Sequence, residues 1–171
     1  MKTPSESSFE GQILALLPAL RRYARSLARS DAEGEDLLQD SLETALTRRG
    51  QWRGLNLRSW LLTIMTRRYR NGLRYRTRHP DTDIEEALNV PAPVAVSDPL
   101  ERRRLEVALN SLPEEQRAVL MLVVLEGCAY ADVATMLDIP VGTVMSRLAR
   151  ARQKISESMQ AENIIPLRRP K

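Results

Sequence analysis

Cysteine and histidine are almost absent from this chain of 171 residues, which has one of each, Cys128 and His79. A lone cysteine excludes an internal disulfide, and a lone histidine leaves no Cys/His cluster with the spacing of a metal site. Aromatic residues make up only 4% of the chain, so a large aromatic core is excluded as well. Glycine is sparse, and no glycine-rich phosphate loop or nucleophile–base pair is present. The scattered Asp and Glu lack convergent spacing, so neither a metal, a cofactor nor an enzymatic activity is expected. No apolar run approaches the roughly 18 residues of a membrane span. Residues 1–10, rich in Ser and Glu, lack the apolar centre of a signal peptide. No membrane insertion is therefore expected, and a reducing cytoplasm is the expected compartment.

The residues that are abundant, Leu, Ala, Arg and Glu, favour helices, and no segment alternates as a strand does. An all-α fold is expected. The formal charge of +4 is mild, so its distribution matters more than its sum. Asp81 to Pro99 holds three prolines and five carboxylates without a Lys or Arg. Helical periodicity lapses there, which predicts a flexible acidic linker over 79–99. On either side lie two small helical domains, 9–78 and 100–160, each of a size at which a lone core is marginal. Helices are predicted over Ile13–Leu27, Ala32–Leu46 and about Arg58–Arg78, then Leu100–Leu109, Pro113–Glu126, Tyr130–Leu137 and Val141–Met159. Ser111-Leu112-Pro113-Glu114 has the S-x-x-E form of a capping box.

The strongest motif runs from Tyr130 to Ile155. A short helix, a break at Asp138-Ile139-Pro140 and a second helix opening at Val141 describe a helix-turn-helix. Val144, Leu148, Ala151 and Ile155 form the buried stripe of the second helix. Thr143, Ser146, Arg147, Arg150, Gln153 and Lys154 lie opposite, where they can reach phosphates or base edges in a major groove. A solvated basic helix on a bundle is the alternative reading of that face.

Between Arg48 and Arg78 there are ten arginines, no carboxylate, and four of the seven aromatics, Trp52, Trp60, Tyr69 and Tyr75. On a helix, Leu62, Met65, Tyr69 and Leu73 make one stripe, with Trp60, Thr63, Arg67, Arg70, Arg74 and Arg78 on the other side. Arginines neutralise phosphates and aromatic faces stack unpaired bases, the combination a reader of melted DNA needs. The tryptophans could equally be core anchors. So many uncompensated like charges, however, call for an anionic partner. The preceding helix has the reverse electrostatics: Leu38, Leu42 and Ala45 face inward, while Asp36, Gln39, Asp40 and Glu43 face outward. That is an ordinary soluble face or, beside a DNA-binding surface, a dock for a basic protein.

At these residues the sequence resembles the extracytoplasmic-function (ECF) branch of the sigma-70 family of bacterial RNA polymerase sigma factors, over nearly the whole chain. Glu35-Asp36-Leu37-Leu38-Gln39-Asp40 and Asn56-Leu57-Arg58-Ser59-Trp60-Leu61 look like the family's core-binding, −10-reading domain. Ser111 to Arg117, Pro140 to Val144, Ser146-Arg147-Leu148 and Ala151-Arg152 look like its −35-reading domain. The resemblance implies a transcription initiation factor that directs core RNA polymerase to promoter DNA and is held in check by an anti-sigma factor. It implies that Asp36, Gln39, Asp40 and Glu43 bind the coiled coil of the largest polymerase subunit. Trp52, Arg53, Asn56, Trp60, Arg67, Arg70, Asn71 and Arg74 would serve the −10 element, and Thr143, Ser146, Arg147, Arg150 and Lys154 the −35 element. Met145 and Ala149 depart from commoner family residues, as do Arg67, where Asn is frequent, and Gly72. Two rivals remain: a plain helix-turn-helix repressor, which leaves the arginine block idle, and a sigma mimic, which need not keep Arg147 or Arg150.

Overall fold

A computed structural model describes residues 8–78 and 98–161, with side chains omitted at 73–78 and 161. The expected linker, apart from Asp98 and Pro99, lies outside the described residues. So does the side chain of Arg74.

The chain is helical, with no strand among the described residues. The first half contains α1 (Phe9–Leu27), α2 (Asp31–Thr47), a 3-10 turn at Arg49–Gln51 and α3 (Leu57–Arg78). The second contains α4 (Pro99–Asn110), α5 (Glu114–Leu120), a π-helical turn at Met121–Leu125, α6 (Tyr130–Leu137) and α7 (Val141–Ala161). Their starts follow local chemistry. The Ser8 hydroxyl accepts from the Gly11 amide at the head of α1 (3.0 Å). At α2, Ser30 accepts from the Glu33 amide (3.2 Å), while the Glu33 carboxylate accepts from the Arg29 amide (3.0 Å). This S-x-x-E segment therefore works as a capping box, shifted by one residue. Asp98 caps α4 by accepting from the Leu100 amide (2.9 Å), with Pro99 as its first residue. Asp98 and Pro99 thus belong to α4 and not to the linker.

Two expectations are corrected. Ser111-Leu112-Pro113-Glu114 is not a capping box: Ser111 closes α4, donating its hydroxyl to the Ala108 carbonyl (2.8 Å), and Pro113 precedes α5 without a side-chain cap. The predicted helix Pro113–Glu126 is also not uniform, because its last turn is π-helical, with the Glu126 amide reaching back to the Met121 carbonyl (3.1 Å). Gly127, at φ +65°, ends it in the left-handed region that glycine adopts without penalty.

Most of each predicted stripe is buried, with Leu42, Tyr69 and Ile155 partly buried at its edge and the Leu73 side chain outside the described residues. Leu38 and Ala45 of α2, Leu62 and Met65 of α3, and Val144, Leu148 and Ala151 of α7 are all core residues. Tyr23, fully buried, satisfies its hydroxyl against Thr66 Oγ1 (2.7 Å). The apolar cluster is continuous across both halves: α3 packs on α5 and α6, and α1 on α5 and the π turn. The two halves thus share one apolar core.

At the α1–α2 crossing, a Cβ added at Gly34 would sit 3.1 Å from the Arg25 Cα and 3.0 Å from its Cγ. Gly34→Ala is therefore expected to force the two helices apart and cost about 1–3 kcal/mol, outweighing alanine's better helix propensity. A thermal melt checks this; a stabilised variant would mean the helices separate freely.

Candidate nucleic-acid and polymerase interfaces

The helix-turn-helix forms as its spacing predicts. Asp138 turns the chain with φ 54°, and the Ile139 amide bonds the Ala134 carbonyl (3.0 Å). Pro140 then leads into α7, whose first turn is closed by Thr143 and Val144 amides on the Pro140 carbonyl. With Val144, Leu148 and Ala151 buried, the opposite face of α7 looks outward. Ser146 and Arg150 are exposed, and Arg150 has no side-chain partner among the described residues. Thr143 is half-buried, its carbonyl accepting from the Ser146 hydroxyl (3.1 Å). These residues border a groove with Arg147 and, from the first half, Arg29. Lys154 is otherwise engaged: its ammonium donates to the Ser111 carbonyl (2.6 Å), tying α7 to the end of α4. Arg147 binds the Glu115 carboxylate.

The −10 candidates divide between support and surface. Trp52 and Trp60 both pack on Phe9, with ring centroids 5.4 and 6.3 Å away, and the Trp52 indole N–H donates to the Leu55 carbonyl (2.9 Å). Both tryptophans thus have a share in the core, and Arg49 stacks over the same Phe9 ring at 5.2 Å. Asn56, at φ 39°, caps α3 by accepting from the Ser59 amide (3.1 Å). That left-handed turn and Gly54 at φ +78° set the loop from which Arg53 projects. Arg53, Arg67 and Asn71 are exposed. Arg70 is drawn to the second half.

The arginine block is less bare than its sequence implied. Carboxylates from other elements reach it: Arg49 pairs with Glu10 (2.6 Å), Arg68 with Asp40 (2.7 Å), Arg70 with Glu115 (3.4 Å) and Arg58 with Glu126. The premise that these charges lack compensation within the chain is corrected, because pairing partners lie far off in sequence. Arg53 and Arg67 stay without an ionic partner among the described residues. The acidic face of α2 is likewise trimmed. Asp36, Gln39, Asp40 and Glu43 are all exposed, as the periodicity predicts. Arg68, however, holds both Asp40 and the Thr44 hydroxyl (2.8 Å), and Glu35 binds Arg21 and Arg25.

The residues that sequence reasoning missed lie between the halves. Arg117, buried, donates to the Ser26 and Ala28 carbonyls (2.7 and 3.2 Å) at the end of α1, and to the Leu109 carbonyl and Asn110 Oδ1 (3.3 and 2.8 Å) at the end of α4. One guanidinium thus satisfies the C-terminal ends of two helices, where carbonyls lack intrahelical partners and cations are favoured. Burial lowers the Arg117 pKa from its ordinary value. The same surroundings push the half-buried Tyr69 phenol up to about 12, mainly by burial. Glu126, its side chain wholly inaccessible, takes Arg58 on one oxygen, with Arg22 3.8 Å from the other, and its carbonyl accepts from Arg58 (2.9 Å). Glu126, a carboxylate directly after the apolar run 118–125, was the available signal; Arg117, preceded by Glu114, Glu115 and Gln116, carried none.

Two small helical halves, one ending in a helix-turn-helix with a basic outer face, define a DNA-reading protein of the sigma type. The Sigma-70, region 4 family model matches residues 102–155, and that of the Sigma2 domain of PhyR matches residues 13–66. The ECF RNA polymerase sigma factor EcfG of Rhodopseudomonas palustris is 36% identical over 155 residues, covering 90% of this chain and 86% of that one. ECF RNA polymerase sigma factor SigM of Mycobacterium tuberculosis is 35% identical over 141 residues, covering 80% and 69%. Among solved structures, the sigma factor RpoE of Bartonella quintana, in complex with the anti-sigma factor NepR, superposes with a TM-score of 0.74 at 32% identity, covering 90% of this chain and 98% of that one. The chain belongs to the ECF family of RNA polymerase sigma factors, which initiate transcription and are not enzymes. No helix among the described residues is long and apolar enough to cross a membrane.

Proposed function

We propose that residues 9–78 dock on core polymerase and open the −10 element, that 98–160 read the −35 duplex, and that 79–97 connect them. The observation that carries this division is the outward face of α7, where Arg150 stands exposed and unpaired among the described residues beside Ser146, over a fully buried stripe. Arginine there can take guanine bidentately in the major groove, with Thr143, Ser146 and Arg147 flanking it. Arg53, Arg67 and Asn71 are the free polar groups of the first half that would meet the −10 strand, while Trp52, Trp60 and Asn56 shape the loop and helix that present them. Asp36, Gln39, Asp40 and Glu43 offer a basic coiled coil of the polymerase its counter-charge. No catalytic step falls to this chain: it positions DNA, and the polymerase makes the bonds.

An anti-sigma protein is proposed as the restraining partner, as the complex of the Bartonella quintana relative with NepR suggests. The cytoplasm, where the polymerase works, is the proposed compartment. The first half's likeness to the Sigma2 domain of PhyR favours a second reading, a mimic that engages anti-sigma proteins without DNA. Run-off transcription with core polymerase on a promoter library separates the two, since a mimic directs no initiation. Within that assay, Arg150→Ala is expected to cost about 1–3 kcal/mol of discrimination at one −35 position. An equal loss on every −35 sequence would reduce Arg150 to a phosphate contact.

A further inference from the structure

One flank of α7, beside Ser146 and Arg150, carries no charge over its first two turns. Val141, Met145 and Ala149 recur every fourth residue and so lie in one row down the helix. All three are exposed, Met145 at 54%. Gly142, Ser146 and Arg150 form the neighbouring row, also exposed. A Cβ added at Gly142 would meet nothing within 4 Å, so packing within the chain does not require glycine there, although alanine suits a helix better. The head of α7 is thus kept low where an outside surface would approach. Lone exposed apolar side chains are ordinary. A row of them along a DNA-facing helix is not, because methionine can neither neutralise a phosphate nor donate to a base edge.

We propose that Met145, flanked by Val141 and Ala149, reads the C5-methyl group of a thymine in the −35 element. This rests on the assignment of α7 to the −35 duplex made above. Among the groups that base pairs display in the major groove, the thymine methyl is the apolar one. An apolar side chain on the reading helix therefore has a single kind of counterpart there. Methionine suits the contact, since its unbranched thioether is long and adapts to an irregular surface. Arg150, five residues on, stands about 7.5 Å further along the helix axis. With about 3.4 Å between base pairs, the thymine falls within about three pairs of the base that Arg150 reads. The polar row holds the helix on phosphates and guanine. The apolar row adds a preference at a second position, where no hydrogen bond supplies one.

The test uses holoenzyme assembled from core polymerase and the full chain, on duplexes carrying the −35 sequence that a promoter library selects. Each −35 thymine is replaced in turn by deoxyuridine, which deletes the methyl and keeps every hydrogen-bonding group. Competition binding against a labelled promoter reports the affinity. One replacement, within about three pairs of the position at which Arg150→Ala relaxes preference, is expected to weaken the parent roughly fourfold. Met145→Ala, at an exposed helical site where alanine folds well, should weaken binding to the thymine duplex by a similar factor and be indifferent to deoxyuridine. A selected sequence without an A·T pair in that window overturns the proposal. So does a parent indifferent to deoxyuridine at every position, or an equal loss in the parent and in Met145→Ala. In each of those cases a loss of discrimination in Arg150→Ala leaves the −35 assignment of α7 standing. No change in preference from either variant overturns that assignment, and the thymine contact with it.

Discussion

Arg117→Met is expected to lower the stability of the chain by about 3–5 kcal/mol, the scale for losing several hydrogen bonds from a charged donor to buried neutral acceptors. The side chain is 3% exposed and makes four hydrogen bonds, two of them to the carbonyls of Ser26 and Ala28. Methionine fills much of the volume but donates nothing, so the ends of α1 and α4 lose their partner in a region water cannot readily reach. For a chain of this size the loss lowers the melting temperature by roughly 10 °C. Arg117→Lys should recover little, because a single ammonium cannot fork toward two helix ends at once. Circular dichroism melts of the parent and the two variants decide the matter. A loss below about 1 kcal/mol would mean the halves are not held together through this group.

Asp40→Arg is expected to abolish assembly with core polymerase while leaving the fold intact. Asp40 is exposed at the middle of the α2 face, and its ionic partner among the described residues is Arg68, also exposed, so the structural cost of reversal is limited to about 1 kcal/mol. At the interface the effect is far larger. Reversing one charge against a basic partner and placing it beside Arg68 should weaken binding by about 2–5 kcal/mol, or roughly thirtyfold to several thousandfold. Arg68→Ala serves as the companion variant. It releases Asp40 without reversing it and should leave assembly within about threefold of the parent. Co-elution with core enzyme on gel filtration is the measurement. Undiminished assembly by a folded Asp40→Arg chain would remove α2 from the polymerase interface.

Local pattern and long-range contact contribute unequally to this protein. The helix-turn-helix was legible because its signals are short-range: an apolar residue every three or four positions from Val144 to Ala151, and a break at Asp138-Ile139-Pro140. The outward placement of Asp36, Gln39, Asp40 and Glu43 follows from the same periodicity. The family likeness was legible too, since its motifs are runs of neighbouring residues. The capping assignment at Ser111 failed because the pattern S-x-x-E does not say which helix the serine faces; its hydroxyl turned back to Ala108. The π turn was invisible because it is a shift in hydrogen-bond register within one apolar run.

What the linear order of residues determined was the helical class, the stripe each helix buries and the sign of charge each presents. Which charges meet was decided only in three dimensions. Glu115 lies 45 residues from Arg70 and 32 from Arg147, and Arg117 is 91 from Ser26, so no local spacing could join them. Periodicity reports where a side chain points relative to its own helix axis. It carries no information on which other helix lies in that direction, and it is that neighbour which turns an exposed-looking arginine into a buried clasp between two halves.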